Sequence, residues 1–457
     1  MCGRRVAPAV MGNPRLLRRP ALNAAPPSYP MIPDQIYDYA YDLRFAERKL
    51  AEDPKVREQD RRAIQAFLRH IKAHGISTGR QAKYVNELHR CAQLIRVPFR
   101  KAKRRDMEDL ITRLSDHEYP TRDGQGNEIR RHYSPATMLD FRMTLRRFQK
   151  FVRYGDTDPT TPFPDEVVWM RGGIKPSERR EPEFFTDGEV EALIRAADSV
   201  RDKALIAVAG EIGTRVSELL LVRLGDVQFD DAGAILHIPR GKTGSRTLRL
   251  ISSVALLADY VSSHPFRSSD PEAPLWLTSC SNHQNQPLSW VGCSRLLKIA
   301  AKKAGIKKSR IHMYMFRHGS ATRNAKYLSD AELRLMYGWS PSSRMPAVYI
   351  HLSGGDLDEK YQQVYGSGRP VEPPKPSFAP VICPRCQEKA SPGMLYCPKC
   401  ATPLDQGERS KIAVQEENTK KEVSELKGLL EKYLSQVPRE PSPSTDDAAA
   451  QRGTAPG

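Results

Sequence analysis

Apolar positions recur at three- and four-residue steps along most of the chain, and that period predicts helices. Leu43, Phe45 and Leu50 open the pattern, Ile64, Phe67 and Ile71 continue it, and Gly75 supplies a stop. In "SPATMLDFRMTLRRFQKFVRYG", Ser134 and Pro135 form a start signal ahead of Met138, Phe141, Leu145, Phe148 and Val152. Residues 156–183 are dense in proline and charge and interrupt the period, as an interdomain linker does. The helical pattern resumes where Thr186 and Glu189 form a capping box ahead of Val190, Leu193 and Ile194, and it continues through "KALIAVAGEIG". The period then switches to two. "ILHIPRGKTGSRTLRLI" alternates on both sides of a Gly-Lys-Thr-Gly-Ser turn, which predicts a β-hairpin. Towards the C-terminus, Val423, Leu426, Leu430, Tyr433 and Val437 make an a/d seam of barely two heptads. A coiled coil that short is marginal alone, so self-association and docking onto a partner or onto the body of the chain both stay open.

Composition narrows the class. With 457 residues and 39% hydrophobic content, the chain can build two or three domains with real cores. A formal net charge of +18 points to a polyanion, for which nucleic acid is the commonest partner; a ribosomal or membrane-surface role gives the same crude signal. No apolar run is long enough to span a bilayer, so no membrane partner is expected and a cytoplasmic location is. Residues 1–32 read as a disordered basic tail without a secretory h-region, with Met11 and Met31 as alternative starts. Of eight cysteines, Cys383, Cys386, Cys397 and Cys400 form two Cys-x-x-Cys pairs in a short stretch, a strong signal for one structural Zn²⁺ per chain. Two disulfides or a redox pair are the competing readings.

The candidate chemistry lies between Ile311 and Leu352. Arg317 and His318 are consecutive in an apolar-periodic run, and burying them is costly unless an anion is bound there. Gly338-Trp339 and Tyr349 follow. Far upstream, Arg215 opens a helix with Glu218 one turn on, and Lys242 occupies the hairpin turn. The glycines around Lys242 lack the spacing and strand-to-helix context of a phosphate-binding P-loop. Two basic runs in the N-terminal helices, Arg100, Lys101, Lys103 and Arg104 with Arg142, Arg146 and Lys150, have few balancing acids and are candidates for contact with a phosphate backbone.

Taken as ordered blocks, Arg215, Lys242, Arg317, Trp339 and Tyr349 resemble the tyrosine recombinase (phage integrase) family over roughly residues 36–366, and the C-terminal pattern looks most like its archaeal members. The resemblance implies a multidomain fold: a mainly helical core-binding domain (33–155), a linker (156–183) and an α+β catalytic domain with a small hairpin sheet (184–366). A Pro-rich linker (367–380), a zinc ribbon (381–405), a short coiled-coil-like helix (411–437) and a disordered tail (438–457) complete it. It further implies cutting and rejoining of double-stranded DNA by a dimer-to-tetramer assembly, with Tyr349 as nucleophile. Arg215 and Arg317 would clamp the phosphate, Glu218 would orient Arg215, Lys242 would serve the leaving oxygen, and Trp339 would position the tyrosine. Neither ATP nor a catalytic metal is expected. One departure stands out, because Tyr314 occupies the place where the family has histidine. A phenol donates a hydrogen bond but ordinarily titrates near 10 and is no base at neutral pH; His312 is the alternative. An inactive DNA-binding regulator on this fold and a topoisomerase-like relaxase are the competing functions.

Overall fold

The computed structural model describes residues 37–122, 127–173, 182–239, 241, 244–279, 284–352, 365 and 378–436. The two expected tails, Lys242, Cys280, Tyr361, Val437 and most of the Pro-rich linker lie outside them. The chain divides into two units, residues 381–390 with 394–457 forming the second.

The first unit opens with four helices, α1 (Tyr39–Glu52), α2 (Glu58–Ala73), α3 (Thr78–Leu94) and α4 (Arg104–Asp116). A two-stranded hairpin follows, β1 (Tyr119–Arg122) with β2 (Glu128–Arg131), and then the long α5 (Pro135–Tyr154). The hairpin interrupts a region read from its pattern as helical throughout. The expected stripe of α5 does face inward: Met138, Phe141, Leu145 and Phe148 join Leu50, Ile64, Phe67, Ile71 and Leu88 in one core. Ser134 caps α5 by accepting from the Thr137 amide at 3.2 Å, and Gly155 ends it in the left-handed region at φ 74°. Phe45 departs from expectation: it is exposed and carries the Lys49 ammonium 4.7 Å from its ring centroid.

Part of the expected linker is structured. The short α6 (Asp165–Val168) drops Val167 and the following Met170 into the same core. Buried Gln149 donates to the Phe99 carbonyl at 2.9 Å and to Glu166 at 3.2 Å, while Arg153 grips the same Glu166 oxygen at 2.7 Å. Burial of two apolar side chains and a paired carboxylate outweighs what proline and charge content suggest.

The rest of the first unit is α7 (Asp187–Ala196), α8 (Val200–Ile212), α9 (Val216–Leu220), a sheet of β3 (Val227–Asp230), β4 (Gly233–Ile238) and β5 (Arg246–Leu250), then α10 (Val254–Ser262), α11 (Trp290–Lys303), α12 (Tyr314–Asn324), α13 (Asp330–Tyr337) and α14 (Met345–Leu352). The sheet is antiparallel in the order β3-β4-β5, so the predicted hairpin is its β4–β5 half, with Ile238 opposite Arg246. Beyond its charged first turn α8 is apolar on nearly every side and runs through the interior; the acid near its end, Glu211, accepts the amides of Ile251, Ser252 and Ser253 at 2.7–2.9 Å and so fixes the chain from β5 into α10. α8 ends at Gly213, in the left-handed region at φ 55°, where a Cβ would come within 2.8 Å of the Ser320 Cβ and 3.0 Å of the Arg317 Cα.

The second unit pairs β6 (Val381–Ile382) with β7 (Lys389–Ala390) and ends in α15 (Gln406–Gln436), longer than the seam predicted. Val423, Leu426, Leu430 and Tyr433 are exposed on it. Among the described residues no helix is long and apolar enough to cross a membrane.

Candidate active site

Two arginines meet at one carboxylate, Glu218. Arg215 is the N-cap residue of α9; its amide donates to Glu218 Oε2 at 3.1 Å and its Nη1 to Oε1 at 2.7 Å. Nη2 reaches the Gly338 carbonyl at 3.2 Å. From β5, Arg246 donates Nη2 to Glu218 Oε2 at 2.7 Å and Nε to the Met336 carbonyl at 3.0 Å. Burial pushes the Glu218 carboxyl up, but Arg246 and then Arg215 outweigh it and hold the group below its ordinary range. Arg246 was missed in the sequence. Its register opposite buried Ile238 was the available signal, because cross-strand partners share a face.

Arg317 on α12 is completely buried and pairs with no carboxylate among the described residues. Its Nη1 donates to the Gly213 carbonyl at 3.1 Å and its Nη2 to the Tyr337 carbonyl at 2.6 Å, while Nε has no partner among the described residues. The rings of Tyr337 and Trp339 lie 5.2 and 5.4 Å from its Cζ. Carbonyl dipoles and aromatic faces thus hold a guanidinium that keeps N–H groups to spare. Burial and neighbouring Arg215 both push its pKa down.

Trp339 follows Gly338, which ends α13 in the left-handed region at φ 56°. Its indole lies flat on the Tyr349 ring, centroids 5.4 Å apart and 4° from parallel. Tyr349 is fully buried, and its hydroxyl sits 2.7 Å from His318 Nδ1. Burial is the main cause of a phenol pKa pushed well above the usual range, with Arg317 opposing it. Of the other tyrosines near it in sequence, Tyr337 is locked between Ser320 and Asn324 at 2.8 Å each, and Tyr327 and Tyr365 are exposed. Tyr314 is the first residue of α12, 43% exposed, its ring edge-on to His318 at 4.7 Å. His312 stands before the helix and is exposed. His318 was noted beside Arg317 but given no role; its place one helical turn after Tyr314 was the signal.

The proposed phosphate-contacting residues divide. Arg100, Lys101, Lys103 and Arg104 are exposed where the chain enters α4, Arg104 pairing with Glu108 at 2.9 Å. Arg142 and Arg146 are half-buried, and Arg146 lies with its Cζ 3.9 Å from the Phe163 ring centroid. Lys150 is corrected: it is 2% exposed, donates to the Asp158 carbonyl and packs against Phe163, so its charge faces inward.

In the second unit the four cysteine sulfurs lie within 4.8 Å of one another. Cys383 and Cys400 are 3.6 Å apart, Cys386 and Cys397 3.5 Å, far beyond a disulfide bond. Sulfurs at 2.3 Å from a tetrahedral centre would be separated by about 3.8 Å, so the set fits Zn²⁺. The two knuckles match: Gln387 and Ala401, each just after the second cysteine of its pair, adopt φ 62° and 55° and donate their amides to the Cys383 and Cys397 carbonyls at 3.0 Å.

Known proteins locate this arrangement. The phage integrase family profile matches residues 183–354. The tyrosine recombinase XerA of Saccharolobus solfataricus is 21% identical over 313 residues, covering 68% of this chain and 94% of that one. The tyrosine recombinase XerC of Lacticaseibacillus casei is 23% identical over 238 residues, covering 49% and 74%. Among solved structures, the XerH site-specific recombinase bound to palindromic difH substrate, a post-cleavage complex, superposes with a TM-score of 0.50 at 14% identity over 71% of this chain and 95% of that one. Residues 183–354 are a domain of the phage integrase family, the tyrosine recombinases.

Proposed function

We propose that the chain is a site-specific DNA recombinase, or integrase, working through a 3′-phosphotyrosyl intermediate. The observation that carries this reading is the convergence of Arg215, Arg317, Trp339 and Tyr349, from separate blocks of sequence, in one cluster with more guanidinium than carboxylate. The Tyr349 hydroxyl attacks the scissile phosphorus, the bond to the 5′-oxygen breaks, and Arg215 and Arg317 take the charge that builds on the non-bridging oxygens. Glu218 holds Arg215 and Arg246 in place for that task. Lys242 supplies the proton to the leaving oxygen. A 5′-hydroxyl of a partner strand then displaces the tyrosine, so one phosphodiester replaces another and no ATP is spent. Double-stranded DNA is the substrate, an assembly of two to four chains brings the strands together, and the exposed cations from Arg100 to Arg104 contact its backbone. One Zn²⁺ held by Cys383, Cys386, Cys397 and Cys400 supports the second unit.

The test is to incubate the full-length chain with supercoiled plasmid and with a pool of nicked duplexes of randomised sequence, then separate the products under denaturing conditions. A covalent protein–DNA band is expected. A second reading, a DNA-binding regulator without turnover, is favoured by the complete burial of Tyr349; binding with no such band would establish it. Relaxed plasmid without exchanged strands would indicate a relaxase instead.

A further inference from the structure

The hydroxyl of Tyr349 is buried, and burial raises the cost of its anion, so some group must take its proton as the phosphorus–oxygen bond forms. The arginines cannot, since guanidinium stays protonated. Tyr314, in the place three before Arg317, is a second phenol, a donor like Tyr349 itself, and its ring packs T-shaped against His318 with centroids 4.7 Å apart. His318 is different. It sits one turn further along α12, its Nδ1 is 2.7 Å from the Tyr349 hydroxyl, and its ring packs T-shaped against that of Tyr314.

We propose that His318 is the general base of this site, taking the Tyr349 proton on Nδ1 in the cleavage step and returning it in the rejoining step. The proposal rests on the recombinase reading above. In the forward direction the Oη–phosphorus bond forms, the phosphorus–O5′ bond breaks, the tyrosine proton passes to His318, and a separate donor protonates the 5′-oxygen. In the reverse direction the 5′-hydroxyl re-forms the diester and the imidazolium gives its proton back to the departing phenol.

The surroundings suit the role. The groups facing His318 are Arg317 and Tyr314 on its own helix, His312 just before that helix, and Tyr349 on α14. Burial first, then the positive charge available on His312 and Arg317, pushes the imidazole down to about 4. At neutral pH the ring is therefore neutral, its free lone pair on Nδ1 can accept the phenol's hydrogen bond, and its proton is on Nε2. A phosphate entering beside Arg317 adds negative charge, which favours the imidazolium at the moment it forms.

Two measurements test this. The first is single-turnover cleavage of a nicked suicide duplex, its sequence taken from the covalent adducts of the randomised pool. His318→Gln keeps the ring's approximate volume but not its basicity. Cleavage should fall on the order of 10²–10⁴-fold with DNA binding and melting temperature unchanged. His318→Ala should recover part of its rate with added imidazole. Sulfur at the bridging 5′ position, which leaves without a proton, should not rescue either variant. Wild-type cleavage by His318→Gln, or its rescue by the sulfur substrate, would overturn the proposal while leaving the recombinase reading intact; a wild-type chain that forms no adduct would overturn that reading itself. The second needs no DNA: ¹⁵N spectra of the free protein should show His318 unprotonated on Nδ1 at neutral pH, and a charged or Nδ1-protonated ring would also overturn the proposal.

Discussion

Trp339 and Tyr349 lie with their rings 5.4 Å apart and 4° from parallel, so the indole fixes the plane in which the phenol hydroxyl can move. Tyr349→Phe keeps that stack and removes only one oxygen. Covalent adduct on a denaturing gel should disappear while DNA affinity in a binding titration stays near wild type. Loss of the hydrogen bond to His318 should cost the free protein about 1 kcal/mol or less. An adduct that survives moves the nucleophile to another tyrosine.

Arg317 spans Gly213 and Tyr337 through two different nitrogens of one planar group. Lysine carries the same charge but cannot make that fork. Arg317→Lys should reduce single-turnover cleavage on the order of a hundredfold or more and should lower the melting temperature, since one of the two buried carbonyls loses its donor. Cleavage at the wild-type rate would place Arg317 outside the chemistry.

Glu218 predicts an acid limb in stability. Its folded pKa lies below the unfolded value of 4.5, so the stability it contributes is present above that value and is lost as pH falls through the folded pKa. Melting curves should show a decline below about pH 4.5 that flattens in Glu218→Gln. The variant should be less stable at pH 7 by about 2 kcal/mol, because two charge-assisted hydrogen bonds are weakened. Equal acid sensitivity in both proteins would assign the decline to other carboxylates.

At Tyr314, replacement by phenylalanine keeps the ring edge against His318 and removes the hydroxyl. Cleavage should slow, and Tyr314→His should retain it. His312→Ala should have the smaller effect, given its exposed place ahead of α12. A larger loss in His312→Ala would show that the two positions exchange roles when DNA binds.

The cysteine cluster predicts a separable stability. Chelation should release one Zn²⁺ per chain, measured by metal analysis, and abolish the folded signals of residues 381–405. A chain ending at Gly366 should still cleave a short suicide duplex and bind long DNA less well. If chelation of the full chain stops cleavage of the short substrate, the two parts act together.

Much of this was legible from spacing. The α5 stripe, the capping box at Thr186 and the β4–β5 hairpin are local periodicities that tertiary packing reinforces, so pattern and structure agree. The β1–β2 hairpin was not legible, being two four-residue strands in a polar stretch without a strict alternation. Val167 and Met170 were hidden by prolines and charges that set a segment's local flexibility but not whether two apolar side chains find a core. In the site, Arg215, Glu218, Trp339 and Tyr349 were reached through ordered blocks, whereas Arg246 and His318 take their meaning from partners distant in sequence, Glu218 and Tyr349. Lys150 failed for the opposite reason: a basic run says nothing of which stem folds back onto a neighbouring ring.

The buried guanidinium of Arg317 also bears on how the free protein behaves. Glu218 is occupied by Arg215 and Arg246, and the Nε of Arg317 has no partner among the described residues. The resting molecule thus buries a guanidinium without a carboxylate bonded to it among the described residues, a cost that an incoming oxyanion would lighten. Catalyst and substrate then share one thermodynamic currency, with occupancy of the pocket read out as heat resistance. Millimolar sulfate, phosphate or vanadate should raise the melting temperature as the logarithm of anion concentration, and Arg317→Ala should be blind to them.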